Sequence, residues 1–178
     1  MLVGLPELSG RPIFVSVGSQ LTAHGGKLLS GSPDRGTQIH AASFVHDRHI
    51  VLDSYLLSRP YLLRLILVHE IFHFVWPRLG NPARAAYEEL VSVERDCGAR
   101  GELGESAALS KLSLKAAANC TNDNRRVRWR DYICESFCDT AAWLYAGVGR
   151  HREFTLGQRW RDRRTEWFRT VFSQGRGC

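Results

Sequence analysis

The sequence lacks an uninterrupted apolar run long enough to span a bilayer. Its longest apolar stretch, Tyr61 to Trp76, carries Arg64, His69, Glu70 and His73, which a hydrocarbon core would tolerate poorly. It also lacks a basic segment ahead of an apolar one at the amino end. Met1-Leu-Val-Gly-Leu-Pro-Glu is broken by Pro6, Glu7 and Gly10, so no secretory signal is expected. The five cysteines, Cys97, Cys120, Cys134, Cys138 and Cys178, form no CxxC pair and are odd in number, which argues against a disulfide scaffold. Reduced thiols and a cytoplasmic location are the expectation. There is no internal repeat and no low-complexity segment, which excludes a solenoid or an interaction tail.

What is present is enough apolar material for one core. At 178 residues, 44% hydrophobic and 24% charged, the chain reads as a single domain over 1–178. The net charge of +6 is unevenly spread: residues 1–124 hold twelve basic and twelve acidic residues, whereas 125–178 hold twelve Arg against six acids. With Trp129, Trp160 and Trp167 interleaved, such a stripe can contact nucleic acid or an acidic partner. Because Arg supplies nearly all the positive charge throughout, a solvated Arg-rich face is the preferred explanation. Nothing specifies an oligomeric state.

The first 57 residues read as mainly β. Pro12-Ile-Phe-Val-Ser-Val17 is a short strand, Gly18 to Gly36 a Gly/Ser-rich loop, and Thr37–Val45 with His49–Leu52 a hairpin turning at His46-Asp47-Arg48. From residue 58 onward the period is helical. Pro60 suits a helix start and Pro77 ends the helix after Trp76. That helix is apolar on nearly every face, so it should run through the core, where its polar residues need a partner or a purpose.

Those polar residues spell His69-Glu70-Ile-Phe-His73, an HExxH motif. Histidines four apart project from one face of a helix and can share one ion, with Glu70 turned toward the place a water would occupy. Zinc acidifies a water, and a neighbouring carboxylate can take its proton. Given seven His and ten Glu, a shuffled chain would contain this pattern in roughly one case in seventy. The apolar setting lowers the chance reading further, so zinc is the expected cofactor.

A catalytic site needs a third protein ligand and an open position. After His73 the sole remaining histidine is His151, so a carboxylate is the better choice. Candidates are Glu88, Glu89 and Glu94 after the Gly80-Asn-Pro82 turn, and Glu135 in Tyr132-Ile-Cys-Glu-Ser-Phe-Cys-Asp139-Thr-Ala-Ala-Trp143. Glu135 is preferred: its segment is apolar and helical by period, and Asp139, one turn on, can orient a ligand imidazole. The segment carrying Glu88 and Glu89, with Arg84, Arg95 and Asp96 nearby, reads as solvated. Cys134 and Cys138 flank Glu135 and read as small buried side chains, although a thiolate could close a structural site.

HEIFH followed downstream by Ile-Cys-Glu-Ser-Phe-Cys-Asp resembles the gluzincins, the thermolysin-like and aminopeptidase-like zinc metallopeptidases. The resemblance spans some thirty residues and leaves 61 between His73 and Glu135 filled by a helical insert. It implies an α+β, zincin-like fold, with a small N-terminal twisted sheet packed over the active-site helix and a mainly helical C-terminal part. It implies hydrolysis of a peptide or protein substrate, with Glu70 as general base. The Gly-rich signature of aminopeptidases is missing, which favours an endopeptidase. For an oxyanion donor the candidates are Tyr132, Tyr145, Arg150 and His151, with Tyr145 and His151 singled out. An extended peptide along Thr37–Leu52 would fit the fold analogy, although Ile39, Phe44, Ile50 and Leu52 serve equally as core. The alternatives are a structural-zinc interaction module and a regulatory protease docking nucleic acid, or a DNA-bound partner, through the basic third.

Overall fold

The computed structural model describes residues 4–7, 10–31, 36–116 and 121–172. The chain is mixed α+β, and the described residues form two small sheets in the amino-terminal third followed by five α-helices. Strands β1 (Phe14–Gly18), β5 (Ala41–Phe44) and β6 (His49–Asp53) form one sheet in the order β1-β6-β5. In it β1 is parallel and β5 antiparallel to β6. The expected hairpin at His46-Asp47-Arg48 is present, with Ser43 opposite Ile50 and Phe44 opposite His49, but its first strand covers only Ala41–Phe44: Thr37–Gln38, read as part of the same strand, pairs in the other sheet.

The region read as a Gly/Ser-rich loop is corrected in part. It contains β2 (Thr22–His24) and β3 (Lys27–Leu29), which pair with each other, while β2 also pairs with β4 (Thr37–Gln38). The signal lay in Gly25-Gly26: both have positive φ, 54° and 75°, the two-residue hairpin connection that glycine permits. Asp53 ties the two sheets together. One carboxylate oxygen accepts the Leu21 N–H at 2.7 Å and the other caps the 3-10 turn Ser54–Ser58 through the Tyr55 N–H at 2.8 Å.

Helix α1 (Pro60–Val75) starts with its proline in the first turn, where no N–H partner is lost, and gives way to a 3-10 turn at Trp76-Pro77-Arg78. One side packs under the first sheet, where Ile50, Leu52, Leu56 and Phe74 meet Leu62, Ile66 and Ile71. The other side packs on α4 (Asn122–Tyr145) and brings Phe72 against Phe137. This two-sided burial explains why α1 is apolar all round. Helices α2 (Asn81–Asp96), α3 (Glu105–Ala116) and α5 (Gln158–Phe172) complete the carboxyl-terminal part. Helix α4 begins well before the apolar stretch that announced it. Its first turns, Asn122 to Arg128, are exposed and, apart from Val127, polar, and Thr121 caps them by accepting the Asn124 N–H.

Beside the apolar core lies an ionic one. Arg164, fully buried on α5, donates to Glu94 through two nitrogens, the shortest contact being 2.6 Å, and to Glu102 at 3.1 Å. Glu102 also receives Lys111 at 2.7 Å and the Tyr132 hydroxyl at 2.5 Å. The reading of the α2 acids as solvated holds for Glu88 and Glu89 but not for Glu94, which is 1% exposed. The physical reason is Arg164, seventy residues away in sequence, whose paired guanidinium makes a buried carboxylate tolerable. Among the described residues no helix is long and apolar enough to cross a membrane.

Candidate functional site

The packing of α1 on α4 brings four of the singled-out residues together. His69 and His73 sit one turn apart on α1, and their Nε2 atoms lie 3.1 Å from each other. Both face Glu135 on α4: His69 Nε2 is 3.2 Å from one of its oxygens and His73 Nε2 is 3.8 Å from the other. On the far edge of the His69 ring, Nδ1 lies 2.7 Å from Asp139. The remaining Asp139 oxygen accepts the Ala107 N–H of α3 at 2.8 Å, so the carboxylate is held from both sides.

Electrostatics follow this geometry. Burial disfavours the His69 imidazolium, but Asp139 and Glu135 outweigh it and hold the pKa well above the ordinary 6.5. His73 is likewise raised despite its burial, through Cys134 and Glu135 and against the repulsion of His69. Burial would raise the Glu135 carboxyl, yet its bond with His69 and the charges of both histidines bring it down.

Glu70 is 9% exposed, and its carboxylate accepts a short hydrogen bond from the Ser43 hydroxyl on β5. Ser43 also lies 3.2 Å from the Glu70 carbonyl oxygen. A cleft of about 290 Å³ is bounded by Ala42, Ser43, His69, Glu70, His73 and Glu135. A larger groove of about 850 Å³ runs along α1 past Leu62, Leu65 and Ile66 to His69 and Glu70.

His151 also lines the larger groove, with Nδ1 3.7 Å from Glu153 and the ring against Phe154. Tyr145 does not reach either space. It stacks on Phe72 at 5.6 Å in the aromatic core, where burial pushes its hydroxyl up to about 12. The reason is its place at the end of α4, where that helix faces Phe72 and Phe168. Tyr132 is committed to Glu102, and Arg150 is exposed. Glu88 and Glu89 lie on the exposed face of α2, where Glu88 accepts the Trp129 indole N–H.

The sequence reading missed two residues at the site, Ser43 and Gly104, and gave Cys134 no contact with a ligand histidine. Ser43 carried no motif. Gly104 has its α-carbon so close to Asp139 that a β-carbon there would overlap the carboxylate, and only side-chain packing reveals that. Cys134 places its sulfur 3.6 Å from His73 Nδ1, the ring nitrogen facing away from Glu135. Its thiol is lowered to about 6, chiefly by its hydrogen bond with Cys138 and then by His73, against the effect of burial. Cys138 is fully buried and its thiol is raised well above the usual range. Cys120 and Cys178 lie outside the described residues.

Gly104→Ala is therefore expected to displace Asp139 and loosen both its hydrogen bonds. The loss should be about 1–3 kcal/mol, as for other overpacked sites, read as a lowered Tm. An unchanged Tm would mean that the 103–107 segment yields freely.

The donor set suits a borderline divalent ion: two imidazoles with adjacent Nε2 atoms, one carboxylate, and an acid that orients one ring. The Cys138 sulfur provides another donor, within 4.8 Å of one ligand atom on each of His69 and His73. No family model, no curated protein and no solved structure matches this chain.

Proposed function

We propose that this chain is a zinc-dependent peptide-bond hydrolase of the zincin type. In this reading His69, His73 and Glu135 hold the metal and Glu70 is the general base. The observation that carries the proposal is the convergence of both Nε2 atoms on Glu135 while His69 Nδ1 is fixed by Asp139. It is the arrangement expected of an HExxH site with a carboxylate third ligand, and the sheet over α1 agrees with it.

Bound zinc supplies a Lewis acid that acidifies water and polarises a carbonyl. Glu70, in the cleft beside the histidines, takes a proton from the attacking water and returns it to the leaving amine. The Ser43 hydroxyl holds the Glu70 carboxylate in that position. His151, in the groove wall, remains a donor for the oxyanion; Tyr145 is withdrawn from that role. Substrate lies along β5, which is the edge of its sheet on the side of the cleft. An endopeptidase acting on peptides or proteins in a reducing, cytoplasmic setting is the preferred form.

Metal content should fall in graded steps. Glu135→Ala removes most of the zinc affinity. Asp139→Asn weakens it by about ten- to a hundredfold, as changes to orienting carboxylates do. Glu88→Ala and Glu89→Ala leave it at wild type. Competition with a chromophoric chelator measures all four, and retention of zinc by Glu135→Ala would overturn the ligand assignment.

A second reading is favoured by the position of Cys138. Were its thiolate a fourth ligand, the site would be closed and structural, and the protein an interaction module. Cobalt substitution separates the two, because thiolate ligation adds an intense sulfur-to-cobalt absorption that a His2Glu site lacks. Glu70, which lines the cleft beside the histidines with its carboxylate held by Ser43, supports the hydrolase. Docking to nucleic acid through the basic third remains an additional, less favoured role.

A further inference from the structure

The groove along α1 is not uniform in charge. Near His69 it is acidic, with Glu70, Asp139, Glu105 and Glu153 in its lining. At the other end it is aromatic and cationic. The Arg59 guanidinium lies 3.5 Å from the centre of the Tyr55 ring, and Arg64 lies 5.0 Å from that of Tyr61; Arg59 and both tyrosines line the groove, whereas half-buried Arg64 lies outside its lining. Neither arginine has a carboxylate partner among the described residues. Arg59 donates only to the Tyr55 carbonyl and the Ser58 hydroxyl, and Arg64 Nε is buried without a hydrogen bond. His40, stacked on Tyr55 at 5.2 Å, presents a second unsatisfied atom, Nδ1.

We propose that this end of the groove receives an acidic side chain of an extended peptide substrate, several residues from the bond placed at Glu70. The proposal rests on the hydrolase reading and names its substrate class. Arg59, at the N-cap of α1, lies eleven steps before Glu70, a rise of about 16 Å, which an extended chain covers in about five residues. The occupant carries negative charge because the Arg59 guanidinium, laid on the Tyr55 ring with N–H donors to spare, binds a carboxylate by charge and by hydrogen bonds together. The charge comes from an internal residue: Tyr61 is 66% exposed and Arg59 is exposed, so the groove opens there and the chain runs on. Pairing with a fixed acid of the protein itself would have consumed the site, and none is in place among the described residues.

The test uses ten-residue fluorescent peptides of neutral sequence in which a single Glu is moved one position at a time. Fluorescence polarisation measures their binding to the zinc-loaded Glu70→Gln protein, and the wild type is assayed for cleavage of the same set. One or two adjacent positions should raise affinity on the order of tenfold over the all-neutral peptide. Arg59→Gln should erase that difference, and Arg59→Lys should retain part of it. Zinc content and Tm serve as the folding control. A flat profile overturns the proposal, as does a preference that survives Arg59→Gln in a folded protein. Tighter binding of a peptide that ends in a free carboxylate at that position overturns the internal residue. If the charge preference is found but the wild type cleaves nothing, the hydrolase reading fails and the groove assignment stands. Cleavage with no charge preference is the reverse case.

Discussion

Glu70→Gln is expected to lower peptide hydrolysis by about 10²- to 10⁴-fold while leaving zinc content at the wild-type level. Gln has nearly the shape of Glu, and its amide oxygen can still accept the Ser43 hydroxyl that now bonds the carboxylate. What it loses is the ability to take a proton. The contrast with His69→Ala or His73→Ala is diagnostic, because those changes remove donors that face Glu135 and should lose the metal itself. Turnover of a cleavable peptide and metal analysis on the same preparations decide the matter. Near wild-type turnover in Glu70→Gln would end the general-base assignment. A wild type that cleaves nothing across a broad library would shift the balance to the closed structural site.

Arg164→Met should destabilise the fold by about 3–5 kcal/mol, a large share of what a domain of this size has to lose. The variant leaves Glu94, 1% exposed, without its cation, while Glu102 keeps Lys111 and Tyr132. Adding Glu94→Gln should recover part of the loss, because an amide carries no charge to strand. The pH dependence has a definite sign. In the intact protein, burial already raises the Glu94 carboxyl despite the opposing pull of Arg164, so removing the arginine raises it further. Both folded forms hold this acid protonated beyond the unfolded carboxylate range, so the stranded-charge part of the deficit is absent below the intact protein's own raised value and grows as pH climbs to the variant's higher one. Urea unfolding of the single and double variants at acidic and neutral pH measures both effects. A constant deficit across that range would show that lost packing outweighs stranded charge.

These residues also mark where sequence reading reaches and where it stops. Helix α1 was legible because Pro60 and Pro77 bracket it and its histidines fall on the helical repeat. Glu135 and Asp139 were legible because acids one turn apart in an apolar stretch demand partners. Ser43 and Gly104 were not, since each acts through a contact with a residue distant in sequence, and no local pattern encodes that pairing. Glu94 misled for the same reason: its neighbours Arg95 and Asp96 look solvated, and its counter-ion lies on the last helix. Tyr145 failed because nearness in sequence to Glu135 says little about direction once ten residues of helix have turned.

Helix α4 turns Glu135 and Asp139 toward α1, and the adjacent Ser136 and Thr140 toward the Tyr87 hydroxyl, with Thr140 also meeting Arg164. Two unrelated groups of partners therefore read the same stretch of chain one residue out of step. Inserting a single residue between Tyr132 and Glu135 would advance the helix by about 100°, pointing the acids at the tyrosine and the hydroxyls away from it. Changes of chain length in this segment should thus be intolerable from either side, independently of whether the protein is ever asked to cut a peptide.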